Sequence, residues 1–299
     1  MNANLAASPN STIDRSIPRG ARAAGWLLRS LAWVAPEAAA RRAADLFLTP
    51  PRPATPEREC LWLDSAFRES VRIDGRELAV WTWPGATVAA PTILLVHGWG
   101  GRGSQLGAFV APLRAAGARV VAFDAPAHGA SDGRKTNLIQ FSIALGGMLE
   151  RFAEQGPVAG LVAHSFGAAA ATIALSRGSE VVRAVFVAPA EDYDHFTGRF
   201  RRALGLDPST VERMQRGIEK RVGVEWSTVR GGRLAPALRQ PLLVVHDEDD
   251  LEVPIAHGET IASRWPEARL HRTRGLGHRR ILRDADVIDE ATRFLLVAG

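Results

Sequence analysis

The sequence predicts an α/β domain: a mostly parallel central sheet with helices on both faces. Three observations lead there. Apolar runs at 92–96, 119–123, 158–163, 181–187 and 242–246 are nearly continuous rather than alternating, the pattern of strands covered on both sides. Segments with an apolar period near 3.6 residues separate them. The two kinds of segment alternate along the chain, and a strand returning parallel to its predecessor needs a crossover of that length. At 299 residues, one large domain with an insert and a sizeable core is expected.

The elements follow in order. Residues 1–19 are polar, carry Pro, Ser and Asn, and read as a disordered lead. From 20 to 47 the pattern is helical. Leu27, Leu28, Leu31 and Val34 share one face, with Trp26 and Trp33 beside them; Pro36 opens a second helix carrying Ala39, Ala43, Leu46 and Phe47. Arg22, Arg29, Arg41 and Arg42 interrupt the apolar residues, which argues against a transmembrane helix and a signal peptide. These helices are expected to pack on the outside of the main domain. The alternative is an amphipathic helix resting on a membrane surface, a weak contact. Pro50, Pro51, Pro53 and Pro56 form a stiff linker, so residues 1–60 read as an extension before the core.

Residues 67–73 and 77–83 alternate around Asp74-Gly75, the signal of a hairpin with a type I′ turn. Strand 92–96 runs into a Gly-rich loop. A helix is expected over 105–116, a strand over 119–123, a helix over 138–154, a strand over 158–163, a helix over 166–176 and a strand over 181–187. The stretch 189–236 breaks the rhythm with helical pieces at 196–204 and 209–222, and reads as a helical cap insert. Strands 242–246 and 268–272 flank a helix near 255–264, and 285–296 closes the chain as a helix. The core is then 61–188 and 237–299.

Composition removes several classes of function. Cys60 is the only cysteine, which excludes an intrachain disulfide and a cysteine-based zinc site. Thirty-seven basic residues against 32 acidic ones give +5, and arginine is spread along the chain rather than set in blocks of five or more, so nucleic acid is not an expected partner. Gly98-x-Gly100-Gly101 lacks both the P-loop lysine and the dinucleotide spacing. The acidic run Asp247, Glu248, Asp249, Asp250 lacks EF-hand spacing, so no metal is expected.

The most informative stretch is Ala163-His164-Ser165-Phe166-Gly167, between an apolar strand and an Ala-rich helix. That is the setting of a nucleophile elbow. Small residues two before and two after Ser165 let the turn close and push the hydroxyl outward. The following helix aims its N–H groups and dipole at the reacting centre. The bland reading is a serine that only caps the helix.

In this setting the chain resembles an α/β-hydrolase-fold serine hydrolase of the bacterial esterase and lipase kind. His97-Gly98-Trp99-Gly100-Gly101 is similar to the oxyanion-loop motif. Asp124-Ala125-Pro126-Ala127-His128-Gly129-Ala130-Ser131 is similar to Asp-x-Pro-Gly-His-Gly-x-Ser, with Ala127 in place of glycine. Ala163 likewise replaces a glycine in the elbow. Asp250-Leu251-Glu252-Val253-Pro254 is similar to the acid motif Asp-x-x-Val-Pro, and Gly277-His278 to the terminal histidine motif. The resemblance spans residues 61–299. It implies a triad of Ser165, Asp250 and His278 in the hydrolase chain order. Ser165 needs a base to become nucleophilic; His278 is that base, and Asp250 fixes its tautomer. Backbone N–H groups of Trp99 and Phe166 would form the oxyanion hole. His97 and His128 would hold loops, and His164 would face the packing of the turn. Asp247 and Asp249 are left to hydrogen-bond the loop or face solvent.

The resemblance implies a small-molecule ester or thioester substrate, no cofactor and a cytoplasmic protein. Trp99, Tyr193, His195, Phe196, Phe200 and Trp226 are candidates to line the substrate pocket. The cations of the insert, Arg199, Arg201, Arg202, Arg213, Arg216, Lys220 and Arg221, read as a solvated face or as a device that steers an anionic thioester. Two alternatives stand beside ester hydrolysis: a noncatalytic ligand-binding or membrane-associated protein on the same fold, and a carbon–carbon bond hydrolase using the same triad.

Overall fold

A computed structural model describes residues 19–156 and 158–296. The lead at 1–18 lies outside them. In chain order the elements are α1 (Arg19–Val34), α2 (Pro36–Phe47), α3 (Glu57–Leu63), β1 (Phe67–Ile73), β2 (Arg76–Trp83), β3 (Thr92–Val96), α4 (Val110–Ala115), β4 (Arg119–Phe123), α5 (Leu138–Ala153), β5 (Val158–His164), α6 (Phe166–Ser176) and β6 (Arg183–Val187). There follow α7 (Asp194–Leu204), α8 (Pro208–Val222), α9 (Gly231–Leu234), β7 (Leu242–Asp247), α10 (Ala256–Arg264), β8 (Ala268–Thr273), α11 (Gly277–Arg280) and α12 (Ala285–Leu296). The described residues divide into a larger unit, within 48–193 and 222–296, and a smaller one, 19–47 with 194–221.

The larger unit carries an eight-stranded sheet in the order β1-β2-β4-β3-β5-β6-β7-β8. β1 and β2 form the expected hairpin, paired from Ile73↔Arg76 to Phe67↔Thr82. Asp74 (φ 49°) and Gly75 (φ 74°) are both left-handed, as a type I′ turn demands. β2 runs antiparallel to β4; the pairs from β4 through β3 to β8 are parallel. Successive residues of each strand serve opposite faces. Leu94, Val96, Val121 and Phe123 pack with Phe141, Leu145, Met148 and Ile173 of α5 and α6. Ile93, Leu95, Val120 and Ala122 pack with Leu113, Val287, Ala291 and Leu295 of α4 and α12. Each fully buried large side chain of this kind stabilises by roughly 1.5–3 kcal/mol.

The strand order reverses at β3. The chain steps from β3 to β4 on one side, then crosses to β5 on the other. The carboxyl ends of β3 and β5 therefore flank the switch point, the usual ligand position on such sheets.

Two segments differ from the sequence expectation. The helix expected over 105–116 is a 3₁₀ stretch, Gly103–Phe109, followed by α4. The Pro-rich region is extended only to Pro56; residues 57–63 form α3, whose Trp62 ring lies so close to Gly107 that a Cβ there would sit 1.9 Å from it.

The smaller unit gathers α1 and α2, read above as an extension, with α7 and α8 of the stretch read as an insert. The backbones of α1 and α7 approach closely at Gly25, where a Cβ would lie 2.2 Å from the Leu204 carbonyl oxygen. Arg29 Nη1 donates to that same oxygen at 2.8 Å. Phe47 meets Phe200 edge-on, centroids 5.2 Å apart. α2 buries Ala39, Ala40, Ala43 and Ala44. Asp207 caps α8, its Oδ1 accepting from Thr210 N at 2.9 Å and its Oδ2 from Thr210 Oγ1 at 2.7 Å. Among the described residues no helix is long and apolar enough to cross a membrane.

Candidate active site

The corner between β5 and α6 puts Ser165 at φ 53°, ψ −117°. An L-residue held at positive φ is strained by roughly 1–3 kcal/mol. The surroundings hold it there. Ser165 N donates to Val187 O at 3.0 Å, and Ala190 N donates to Ser165 O at 3.2 Å, so β6 and the loop after it clamp the turn. Gly167 lets α6 lie against the end of β3: a Cβ there would be 2.4 Å from His97 O. Ala163, in the other small position, is fully buried, and its methyl group is accommodated in the packing of the sheet. Gly98 crosses directly beside the corner, where a Cβ would stand 3.1 Å from Ser165 Cβ.

The loop after β8 and the short helix α11 bring His278 to that hydroxyl. Its Nε2 lies 3.0 Å from Ser165 Oγ and accepts the hydroxyl proton; its Nδ1–H donates to Asp250 Oδ2 at 2.7 Å. The three side chains are buried. Asp250 Oδ1 accepts from Glu252 N at 2.8 Å and Val253 N at 2.9 Å. Burial works to raise the carboxyl pKa, but His246, His278 and the Val253 N–H outweigh it and hold Asp250 well below the usual carboxylate range. The acid is thus an anion facing the imidazole.

Its neighbours in the acidic run do other things. Asp247 Oδ2 accepts from Thr273 Oγ1 at 2.7 Å and Leu276 N at 3.0 Å, tying the end of β7 to the histidine loop. Asp249 Oδ2 accepts from Gly275 N at 2.9 Å, and Glu248 pairs with Arg274. The histidine loop is therefore anchored by Asp247 and Asp249 while Asp250 alone of the run touches the ring. His164 Nε2–H donates to the His278 carbonyl at 3.0 Å, and burial keeps His164 neutral.

The oxyanion-loop motif is held by two more neutral imidazoles. His97 Nδ1–H donates to Gly98 O at 2.7 Å while its Nε2 accepts from Ala125 N at 3.0 Å. His128 Nδ1–H donates to Pro126 O at 3.0 Å while its Nε2 accepts from Gly100 N at 3.0 Å. Burial pushes these rings down to about 4 and about 3, so each keeps the bare nitrogen its backbone donor needs. Asp124 joins the same loops, accepting from Gly103 N and Ala130 N, both at 2.7 Å. Gly129 must lack a side chain, since a Cβ would fall 1.9 Å from Asp124 Oδ2. Ala127 takes φ 65° in the position that the related motif gives to glycine. Trp99 packs edge-on against Phe166, centroids 5.2 Å apart, which brings its loop to the first turn of α6. N–H groups in that turn have no partner within the helix.

The matched family model settles the lineage. Residues 93–291, about two-thirds of the chain, match the alpha/beta hydrolase family. The chain belongs to the alpha/beta hydrolase family. Among solved structures it is similar to the Pyrococcus furiosus esterase Pf2001 (TM-score 0.63, 20% identity, covering 83% of this chain and 98% of that one). It is also similar to the esterase RhEst1 from Rhodococcus sp. ECU1013 (TM-score 0.59, 21% identity, 79% and 100%). A bromoperoxidase from Bacillus anthracis matches comparably (TM-score 0.59, 17% identity, 78% and 100%). No curated protein matches the chain in sequence.

Residues 48–63 brace the loops around the β5–α6 corner. A Cβ on Gly100 would lie 2.8 Å from Pro51 Cγ. Arg52 donates to the carbonyls of Ala127, Ser131 and Gly133 at 2.7–2.9 Å. Glu59 Oε2 meets Arg102 Nε at 2.7 Å and Ser104 Oγ at 2.8 Å, with both charged side chains buried. Sequence reading placed 48–60 outside the core and missed this brace. It shows no periodicity, and one Glu and one Arg among many carry no mark of being buried partners.

The expected pocket residues divide. Trp99 stands beside the elbow. Tyr193 and Trp226 stack on each other, centroids 4.6 Å apart and 27° between planes, in the larger unit. His195, Phe196 and Phe200 belong to the smaller unit; His195 meets Phe196 edge-on and Phe200 packs on Phe47. Among the described residues, Glu191, Asp192 and His257 could bring metal-ligand atoms together. Glu191 Oε1 already accepts from Gly232 N and His257 Nδ1 from Glu191 N, so the group works as a loop tie.

Proposed function

We propose that this alpha/beta hydrolase is a serine hydrolase that cleaves small-molecule carboxylic esters, and thioesters by the same route, through an acyl-enzyme. The observation that carries this reading is the line Ser165 Oγ, His278 Nε2, Nδ1, Asp250 Oδ2, with gaps of 3.0 and 2.7 Å. An alcohol is a weak nucleophile, and a base in hydrogen-bond contact removes that weakness. His278 takes the Ser165 proton as the oxygen attacks the acyl carbon. Asp250, already ionised, stabilises the imidazolium and keeps Nδ1 protonated. The negative charge on the former carbonyl oxygen is met by the N–H groups of Trp99 and Phe166, worth roughly 2.7–4 kcal/mol each in comparable sites. His278 then protonates the leaving alcohol or thiol. Water, deprotonated by His278, attacks the acyl-enzyme; the acid leaves and Ser165 recovers its proton.

Two of the similar structures are esterases, which favours esters over carbon–carbon bonds as the substrate class. Trp99, packed edge-on against Phe166 next to Ser165, is the pocket wall this reading takes first. The test is turnover of p-nitrophenyl esters from two to about sixteen carbons, with matching acyl thioesters, by the native chain and by Ser165→Ala. The expected result is ester turnover that falls by roughly four to six orders of magnitude in the variant. Turnover equal in both proteins would defeat the reading.

A further inference from the structure

The helix α1 turns its large side chains the wrong way for a helix that only packs. Trp26 is 62% exposed, Leu27 61%, Trp33 90% and Val34 82%. The packed side holds Leu28 and Gly25, the latter pressed against the α7 backbone at Leu204. At about 100° per residue, Arg22, Trp33 and Trp26 fall within about 40° of arc, and Ser30, Ala23, Val34 and Leu27 continue it to about 140°. All seven are exposed. Sequence reading set Leu27, Leu28, Leu31 and Val34 on one face; the structure sends Leu28 inward and Leu27 and Val34 outward. Single exposed apolar residues are ordinary, but a contiguous stripe with two indoles along about 18 Å of helix is not.

The charge of the same unit says what would cover the stripe. Residues 19–47 and 194–221 hold 12 Lys and Arg against 6 Asp and Glu, a net +6, while 48–193 and 222–299 hold 24 against 25. The whole excess of positive charge thus sits in the unit that bears the exposed stripe. A second copy of the chain would set +6 against +6, whereas an anionic lipid surface offers negative headgroups over an apolar layer. Indoles suit that boundary, with an apolar body and one N–H donor, and an arginine stem can lie along apolar surface with its head in the phosphates.

We propose that α1 is an interfacial anchor that lies in the headgroup region of an anionic bilayer. Trp26, Trp33, Leu27 and Val34 enter the acyl boundary, and Arg22 stays among the phosphates. The anchor does not cross the membrane, and it stands or falls independently of the ester chemistry.

The test uses the full chain with sedimented vesicles of phosphatidylcholine alone or with about 30% phosphatidylglycerol, at low salt and at about 0.5 M salt, where screening acts within about 5 Å. The expected result is binding to anionic vesicles roughly tenfold or more above neutral ones, weakened by salt, and reduced roughly tenfold or more in Trp26→Ala/Trp33→Ala. These side chains are exposed, so the variant should keep its melting temperature and its turnover of a short soluble ester. Equal binding to both vesicle types, or undiminished binding by the variant, would overturn the proposal. So would a dimer in sedimentation velocity that the same variant converts to monomer while vesicles are ignored, since a second copy would then be the occupant.

Discussion

The two units use their polar residues differently. In the larger, buried His97, Asp124, His128, Ser131, Asp247, Asp250 and His278 each make directional bonds, mostly to backbone of a different loop. In the smaller, α2 buries a face of alanines, α1 buries little beyond Leu28, and the charges face out. A directional bond fixes an atom to within tenths of an ångström, and catalysis depends on such placement. Burial of apolar area fixes only which faces are hidden. The difference predicts that single polar substitutions will be severe in one unit and mild in the other.

The largest effect should come from the acidic run. Asp250→Asn should lower kcat for an ester by about 10⁴-fold while the near-ultraviolet circular dichroism stays native, because the amide favours the wrong imidazole tautomer. Asp247→Asn should instead leave kcat within about tenfold and lower stability by roughly 1–3 kcal/mol in urea unfolding, since it loosens Thr273 and Leu276. A reversal of the two phenotypes would move the acid to Asp247. The pH dependence separates them further. Asp250 titrates lower folded than unfolded, where 3.8 is its ordinary value. Its stabilisation is complete above that value and is lost as pH falls through the folded one. The native melting temperature should therefore drop more steeply on acidification than that of Asp250→Asn.

Next in size is the brace. Glu59→Gln leaves Arg102 buried without its counter-charge and should cost about 3–5 kcal/mol in urea unfolding. A loss under 1 kcal/mol would mean that residues 48–63 do not hold the loop after β3. Smallest is the cap in the other unit. Asp207→Ala should cost about 1 kcal/mol. Hydrogen bonds from Ser209 and Thr210 hold Asp207 down to about 2, against 3.8 unfolded. The cap should be fully effective above about pH 4 and vanish as pH falls through about 2. An effect as large as that of Glu59→Gln would erase the contrast between the units.

Much of the larger unit was legible because its demands are local. β3 and β4 run over the expected residues, since strands buried on both faces must be continuous and apolar. The hairpin was legible from Asp74-Gly75, because few residues tolerate two left-handed positions. The elbow was legible from the small residues at 163 and 167, and Gly167 meets His97 O as a close approach requires. What escaped was long-range. Arg52 acts on carbonyl oxygens, which every residue has, so nothing in the sequence marks its targets. Periodicity grouped Leu28 with Leu27 and Val34 on one face of α1, whereas the structure turns Leu28 inward and the other two outward; Gly25 against Leu204 O sets that rotation through a contact far away in sequence. Nothing local links α1 and α2 with α7 and α8, because the link is steric fit.

The central claim is that Ser165 Oγ is a nucleophile activated by His278. A fluorophosphonate probe reports that property directly, since it bonds covalently only to an activated hydroxyl in folded protein. The account predicts one adduct per chain, mapped by peptide mass to Ser165 and abolished in His278→Ala. A folded chain that stays unlabelled, or one labelled elsewhere, would contradict it.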